Sequence, residues 1–242
     1  MMFWKKKPAA ADLSWLVTDM HSHLVPAIDD GSQDMVTSLN LIRGLADLGY
    51  QKVITTPHIL WEVYPNTNDT ITNGIEEVRK AAANEGINVH LHAAAEYFID
   101  DHFEQLVKTK QPLLTLSGNL VLVEFSMVTA PMDLQQILFD LQMENYQPII
   151  AHPERYIYLN RRKEFFDDLK AAGCHFQLNL LSLTGHYGTA VTELAEYLIK
   201  KNYYDYAGTD MHHQKHLEAL RKLPSAPLKR LQDSGNIRNH LL

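Results

Sequence analysis

The chain has 242 residues, 45% hydrophobic and 21% charged, which is length enough for one barrel-sized core or two smaller ones. A formal net charge of −7 argues against a general nucleic-acid binder. The one cysteine, Cys174, excludes a disulfide framework and fits a reducing compartment, hence the cytoplasm; no apolar run approaches the roughly 20 residues that span a bilayer.

The opening Met1-Met2-Phe3-Trp4-Lys5-Lys6-Lys7-Pro8 is basic and lacks the apolar core of a signal peptide. Residues 1–15 read as a solvated tail, the sharper alternative being weak contact with an anionic membrane surface or a partner. Residues 16–242 read as a single domain. Strands are predicted over 16–20, 52–56, 88–95, 119–124, 148–151, 175–179 and 205–209. Helices are predicted between and after them, over 32–48, 68–85, 101–109, 131–145, 161–172, 189–201 and 213–222. In the first helix Val36, Leu39, Ile42, Leu45 and Leu48 recur at helical spacing, and Gly49 can end it. Val121-Leu122-Val123 and Pro148-Ile149-Ile150-Ala151 are short, continuous apolar runs, as strands buried on both faces require. Seven strand–helix units imply a parallel sheet, open or closed into a barrel. The stretch from Pro224 onward reads as polar and irregular.

Polar residues gather where strands are predicted to end. His21, His23 and Asp30 follow the first strand, His58 the second and Glu96 the third. Glu124 ends the fourth, His152 follows the fifth, and Asp210 and His212 follow the seventh. In a parallel α/β barrel these ends converge on one face. Acids placed directly after apolar runs need compensating positive charge, and divalent cations accept imidazole and carboxylate together. Nine such residues exceed what one ion needs and suit two or three. With no His-Glu-x-x-His, P-loop, dinucleotide fingerprint or nucleophile elbow in the chain, metal-assisted hydrolysis is the default chemistry. Arg155, three residues after His152, presents the paired donors that match a phosphate; a salt bridge to Glu154 is its structural alternative.

Together these residues resemble the PHP family of metal hydrolases, and within it the CpsB/YwqE-type protein-tyrosine phosphatases of bacterial capsule and exopolysaccharide clusters. The resemblance rests on Asp19-Met20-His21-Ser22-His23 with Ile28-Asp29-Asp30-Gly31, Thr55-Thr56-Pro57-His58 and Leu122-Val123-Glu124-Phe125. It continues through Ala151-His152-Pro153-Glu154-Arg155-Tyr156, Ser182-Leu183-Thr184-Gly185 and Gly208-Thr209-Asp210-Met211-His212. It implies an α/β fold, a distorted (β/α)7 TIM-like barrel, with three divalent metal ions, manganese before iron, zinc or magnesium. The implied ligands are His21, His23, Asp30 rather than Asp29, His58, Glu96 as the bridging carboxylate, Glu124, His152, Asp210 and His212. Arg155 is implied to bind phosphate, and His212 or Asp210 to supply any proton the leaving group needs. The implied substrate is phosphotyrosine, often on the tail of a bacterial tyrosine kinase of polysaccharide export; nucleic acid and integral membrane segments are not implied, and the oligomeric state stays open. The chain departs from the family pattern in three places. Leu217 stands where a second arginine is common, Ala94-Ala95-Glu96 replaces Gly-Gln-Glu, and His186 stands in place of a lysine.

Among the other histidines, His186 and His213 are candidates for substrate contact, with plain surface roles as the bland reading. His90 and His92 share parity with Glu96 and so point to the barrel interior, in a packing role. Tyr97, Tyr156 and Tyr187 are candidates to stack on an aromatic substrate, ordinary packing being at least as good an account. The rival readings are a small-molecule phosphoesterase such as a histidinol phosphatase, an amidohydrolase, and a catalytically weak scaffold that binds a kinase tail.

Overall fold

The computed structural model describes residues 11–242, so the basic stretch of residues 5–7 lies outside the described residues. Of the predicted tail, Leu13 is fully buried and Ser14–Leu16 forms a 3-10 helix whose Leu16 joins the core. The strands, all parallel, are β1 (Thr18–Asp19), β2 (Lys52–Thr55), β3 (His58–Ile59), β4 (His90–Ala93), β5 (Glu96–Phe98), β6 (Leu120–Glu124), β7 (Gln147–Ala151), β8 (His175–Asn179) and β9 (Tyr206–Gly208). The helices are α1 (Met35–Asp47), α2 (Asn68–Asn84), α3 (Asp101–Lys108), α4 (Leu134–Met143), α5 (Glu164–Ala171), α6 (Thr189–Lys200), α7 (Gln214–Leu220) and α8 (Ser225–Ser234).

Two predicted strands are interrupted. The run 52–56 stops at Thr55: the Thr56 amide turns to the Ser22 carbonyl (2.6 Å), and Pro57 has no N–H to continue a ladder. The run 88–95 begins at His90, stops at Ala93 and resumes at Glu96, whose amide donates to the Pro57 carbonyl (3.1 Å). The resumed pieces β3 and β5 pair with His58 opposite Glu96. The ladders therefore split into β1-β2-β4 and β3-β5-β6-β7-β8-β9. Counting each interrupted strand once gives seven strand–helix units, the distorted α/β barrel that the sequence implies.

The ring closes without a ladder between β1 and β9. Near the top, Ser22 bridges Met211, and the His23 amide donates to the Met211 carbonyl (2.8 Å). Lower down, side chains close the seam. Asp19 accepts from the Thr209 amide (2.9 Å) and hydroxyl (2.7 Å). Asn239 donates to the carbonyls of Thr18 (2.8 Å) and Ala207 (2.6 Å) and accepts from the Ala207 amide (2.9 Å). The stretch after Pro224 is thus ordered. Leu228 and Leu231 bury one face of α8, and the Asn239–Leu241 turn seats Asn239 in the seam.

Strand alternation divides the apolar residues into two layers. Met20, Ile54, Leu122, Ile149, Ala151 and Tyr206 fill the barrel interior. Val53, Val121, Val123, Ile150, Phe176 and Leu178 point outward beneath the helices. Among the described residues no helix is long and apolar enough to cross a membrane.

Candidate metal centre

The nine acids and histidines picked from the sequence meet at the carboxyl ends of the strands. They fall into four overlapping groups whose ligand atoms lie within 4.8 Å of one another: His23/Asp30/His58/His212, His21/His23/Glu96, His21/His152/Asp210 and His58/Glu96/Glu124. His21 and His23 share one parity beyond β1, and β1 can approach β9 closely because Gly208 lacks a side chain; a Cβ there would lie 2.7 Å from the His21 Cβ. His58 and Glu96 open β3 and β5 rather than following strand ends, and they share the inward parity of Ile54 and Ala94 across the two interruptions. Glu124 shares parity with Leu122 and ends β6 on the inner face. His152 (φ 32°) and Asp210 (φ 50°) hold left-handed backbone that non-glycine residues seldom adopt, and both sit at this cluster.

Glu96 is central and fully buried. Its Oε2 lies 3.1 Å from His21 Nε2, 3.4 Å from His23 Nε2 and 3.2 Å from His58 Nδ1, and its Oε1 lies 3.0 Å from His152 Nε2. Asp210 Oδ1 lies 3.3 Å from His21 Nε2 and 3.4 Å from His23 Nε2. Asp30, half exposed, reaches His58 Nε2 (3.4 Å) and His212 Nε2 (3.3 Å). Asp29 points elsewhere: it accepts from His23 Nδ1 (2.8 Å) and from the His58 amide (3.1 Å).

The donor set fits cations. His21 donates Nδ1–H to Gln177 Oε1 (3.0 Å), His23 to Asp29 (2.8 Å) and His212 to the Asp210 carbonyl (2.9 Å). Each neutral ring so fixed turns a lone pair on Nε2 into the bowl, the arrangement that metal-bound histidines use. Two such lone pairs, on His21 and His23, then stand 3.2 Å apart beside carboxylate oxygens, an arrangement that only a proton or a cation stabilises. The Nδ1 of His152 is buried without a hydrogen-bond partner, and that of His58, though 3.2 and 3.3 Å from the Glu96 and Glu124 carboxylates, makes no hydrogen bond of acceptable angle. In the protein alone, protons fill that need. Burial pushes His21 down, but the Glu96 and Asp210 carboxylates outweigh it and hold it up at about 9. Burial pushes Glu96 up, yet the His21 and His58 charges hold it well below the carboxylate range.

Arg155 does not pair with Glu154. Its Nη1 donates to Asp210 Oδ2 (3.0 Å), its guanidinium lies 4.7 Å over the Tyr187 ring, and it lines the bowl. Glu154 is buried beneath, accepting from the Asn179 amide (2.9 Å), Ser182 (2.7 Å) and Tyr204 (2.9 Å). That network carries the left-handed turn from which Arg155 reaches in. Asn179 also donates to Asp210 Oδ2 (2.9 Å).

The bowl encloses about 410 Å³, and Phe98, Phe125, Met127 and Tyr187 form its apolar wall. Of the three tyrosines considered, only Tyr187 lines it. Tyr97 and Tyr156 are fully buried, and Tyr156 stacks on Phe125 at 4.0 Å. His213 lines the bowl and caps α7; His186 lies outside it, exposed, with its ring edge-on to His216 at 5.1 Å. His216, between them, accepts from the His212 amide (3.3 Å) and lines the bowl. Leu217 is a packing residue pressed against Gly44 of α1. His90, at the start of β4, is exposed; His92 pairs with inward-facing Ile54 and so keeps Glu96's parity, but lies deeper, toward the amino end of the barrel, where it turns to the Thr115 carbonyl (3.3 Å). Cys174 is buried at the amino end of β8, the end opposite the bowl, where burial pushes its thiol up to about 12.

Sequence reasoning missed Asp29, Gln177, Asn179, Glu154 and His216. Gln177 and Asn179 carried a signal, being polar residues on the inward parity of a buried strand. His216 carried none beyond its spacing from His212.

Fold and cluster together define the class, a parallel α/β barrel with an imidazole–carboxylate centre at the carboxyl ends of its strands, as in barrel enzymes generally. The chain belongs to the family described as "Capsular polysaccharide synthesis, CpsB/CapC", whose model matches residues 17–223. It is 29% identical over 197 residues to tyrosine-protein phosphatase YwqE of Bacillus subtilis (strain 168), covering 81% of this chain and 78% of that protein. It is 28% identical over 200 residues to tyrosine-protein phosphatase CpsB of Streptococcus agalactiae serotype V, covering 80% and 82%. A crystal structure from work on Bacillus subtilis YwqE and Streptococcus pneumoniae CpsB, described as unique metal-dependent tyrosine phosphatases, superposes with a TM-score of 0.79 at 27% identity, covering 92% of this chain and 89% of that one.

Proposed function

We propose that this chain is a metal-dependent protein-tyrosine phosphatase, a single domain over residues 16–242 acting in the cytoplasm. We take its substrate to be phosphotyrosine on the tail of a bacterial tyrosine kinase that controls polysaccharide export. The observation that carries the reading is the convergence of Nε2 lone pairs from His21, His23 and His212 on carboxylates, beside a guanidinium aimed into the same bowl. The family and its named relatives supply the reaction class.

The nine residues of the cluster would hold three divalent cations, manganese first among the candidates, with Glu96 as the shared carboxylate. Bound cations supply Lewis acidity and a water of lowered pKa at the phosphorus. The protein's own groups do the rest. Arg155, anchored by Asp210 and stacked on Tyr187, presents its remaining N–H donors to the phosphate oxygens. Phe98, Phe125, Met127 and Tyr187 form an apolar sleeve for the aryl ring, and His213 stands at the rim. The leaving tyrosinate, with an ordinary pKa of about 10, needs little protonation. Burial pushes Asp210 up, but His21, His212 and Arg155 outweigh it and hold it ionised, and His212 spends its Nε2 lone pair on a cation and its Nδ1–H on the Asp210 carbonyl, so any proton comes from solvent. His186, outside the bowl, has no contact role in this scheme. No cysteine intermediate forms.

The test is hydrolysis by metal-reconstituted protein of phosphotyrosine, phosphoserine and histidinol phosphate side by side. Preference for phosphotyrosine is expected; preference for histidinol phosphate would overturn the substrate.

A further inference from the structure

The bowl is not isolated on the surface. Phe98 lines both the bowl and a neighbouring furrow that passes over Asp101 and Glu62 to Trp61 and His102. The short loop carrying Trp61 leaves β3 three residues after His58. It is held shut by paired backbone hydrogen bonds between Leu60 and Tyr64 (2.6 and 3.3 Å). A hydrogen bond from the Trp61 amide to Asp100 Oδ2 (3.2 Å) ties it to the start of α3. The Trp61 ring stacks on His102 at 3.9 Å and 16°, which occupies one indole face, and the residue stays 42% exposed. A large aromatic ring held in the open at the end of a channel from the catalytic bowl is a recognition element rather than core.

Resting on the phosphatase reading, we propose that this furrow is the substrate-chain subsite, and that the Trp61 face not stacked on His102 takes a lysine or arginine flanking the phosphotyrosine. An indole face attracts a cation most strongly among the aromatic side chains, and the carboxylates of Glu62 and Asp101 lie along the same furrow. The two ends of the binding track then carry opposite demands. The bowl, with its cations and Arg155, takes the dianionic phosphoryl group, and the furrow takes a cationic neighbour. A substrate with an acidic flank would meet like charge along the furrow and bind less well.

The experiment uses the metal-loaded full chain and three kinds of substrate. These are free phosphotyrosine, phosphotyrosine peptides with a single lysine scanned through the flanking positions, and the same peptides with glutamate. The wild-type protein should favour the best lysine peptide over its glutamate counterpart at least tenfold in kcat/KM, mainly through KM. Trp61→Ala should lose at least fivefold on that lysine peptide while its kcat and its rate on free phosphotyrosine stay unchanged. The double variant Glu62→Gln/Asp101→Asn should erase the lysine-over-glutamate preference. Equal wild-type rates on the two peptide sets would overturn the subsite, as would a Trp61→Ala variant that leaves the peptides untouched or loses equally on free phosphotyrosine. Failure of the wild-type protein to hydrolyse free phosphotyrosine would instead overturn the phosphatase reading and the subsite with it.

Discussion

Asp210 works through both of its oxygens. One faces the ring nitrogens of His21 and His23, and the other holds Arg155 and Asn179. Loss of this one side chain therefore disturbs both the proposed cation set and the phosphate grip. Asp210→Ala should lose more than 100-fold in kcat/KM on phosphotyrosine, against roughly 10- to 100-fold for Gln177→Leu, which frees the His21 ring and the His152 amide from the oxygen that both donate to. Metal content per chain, measured beside the rates, should fall in both. Cys174→Ser should leave activity intact, since its buried thiol lies at the far end of the strands. Because His21 is held protonated up to about pH 9 in the protein alone, cation binding at pH 7 must release protons, and affinity must fall as pH falls. Calorimetric titration with manganese in two buffers of different ionisation enthalpy measures that release directly. At this scale the sequence was most legible: all nine clustered acids and histidines were visible as polar residues beside apolar runs. What hid were the partners that orient them. Asp29 looks like Asp30 on paper, and only the fold shows one turned to His23 and the other to His58 and His212.

At the level of elements, periodicity located α1 to α7 but neither α8, in the stretch read as irregular, nor the two interrupted strands. Thr56 and Ala94-Ala95 read as the ends of β runs, and nothing local marks the Ala pair as a break. The interruption arises from tertiary demand: the Thr56 amide finds Ser22 instead of a ladder partner, and β3 and β5 shift over to join the larger sheet. The shift leaves the alternation intact, so His92 keeps the inward parity of Ile54 and Ala94. A different device secures the amino end of β9. Asp205 accepts from Lys170 (2.7 Å), Arg238 (2.6 Å) and the Phe176 amide (2.8 Å). Burial pushes Asp205 up, but His175, Lys170 and that amide outweigh it and lower it to about 2. A carboxyl with a depressed folded-state pKa contributes stability that is fully present above its ordinary value near 4 and lost as pH falls toward 2. Asp205→Asn should flatten the acid limb of the stability curve, read from denaturant melts between pH 2 and 5, and leave the chain less stable at pH 7.

For the whole molecule, the seam between β1 and β9 is where the ring depends on single side chains. Asn239 satisfies three backbone groups there, two of them carbonyls on opposite sides. Asn239→Ala leaves those groups buried and unpaired, at a cost of about 2–4 kcal/mol by denaturant titration. Cations held by His21 and Asp210 would span the same seam, so chelation should lower Tm and should narrow the gap between wild type and Asn239→Ala. The polar sequence after Pro224 gave no hint of this, since one asparagine inside a polar stretch has no periodicity to betray it.

The seam also sets an order of events. Thr209 and Asp19 are 190 residues apart in the chain, and Asn239 and Thr18 are 221 apart. Contacts of such separation carry the largest loop-closure entropy and form late in folding. A ribosome-bound chain can assemble most of the ring from neighbouring units, yet His21 and Asp210 cannot meet until β9 has emerged. The catalytic centre is thus among the last features the newborn protein acquires, and partly synthesised chains are inert by construction.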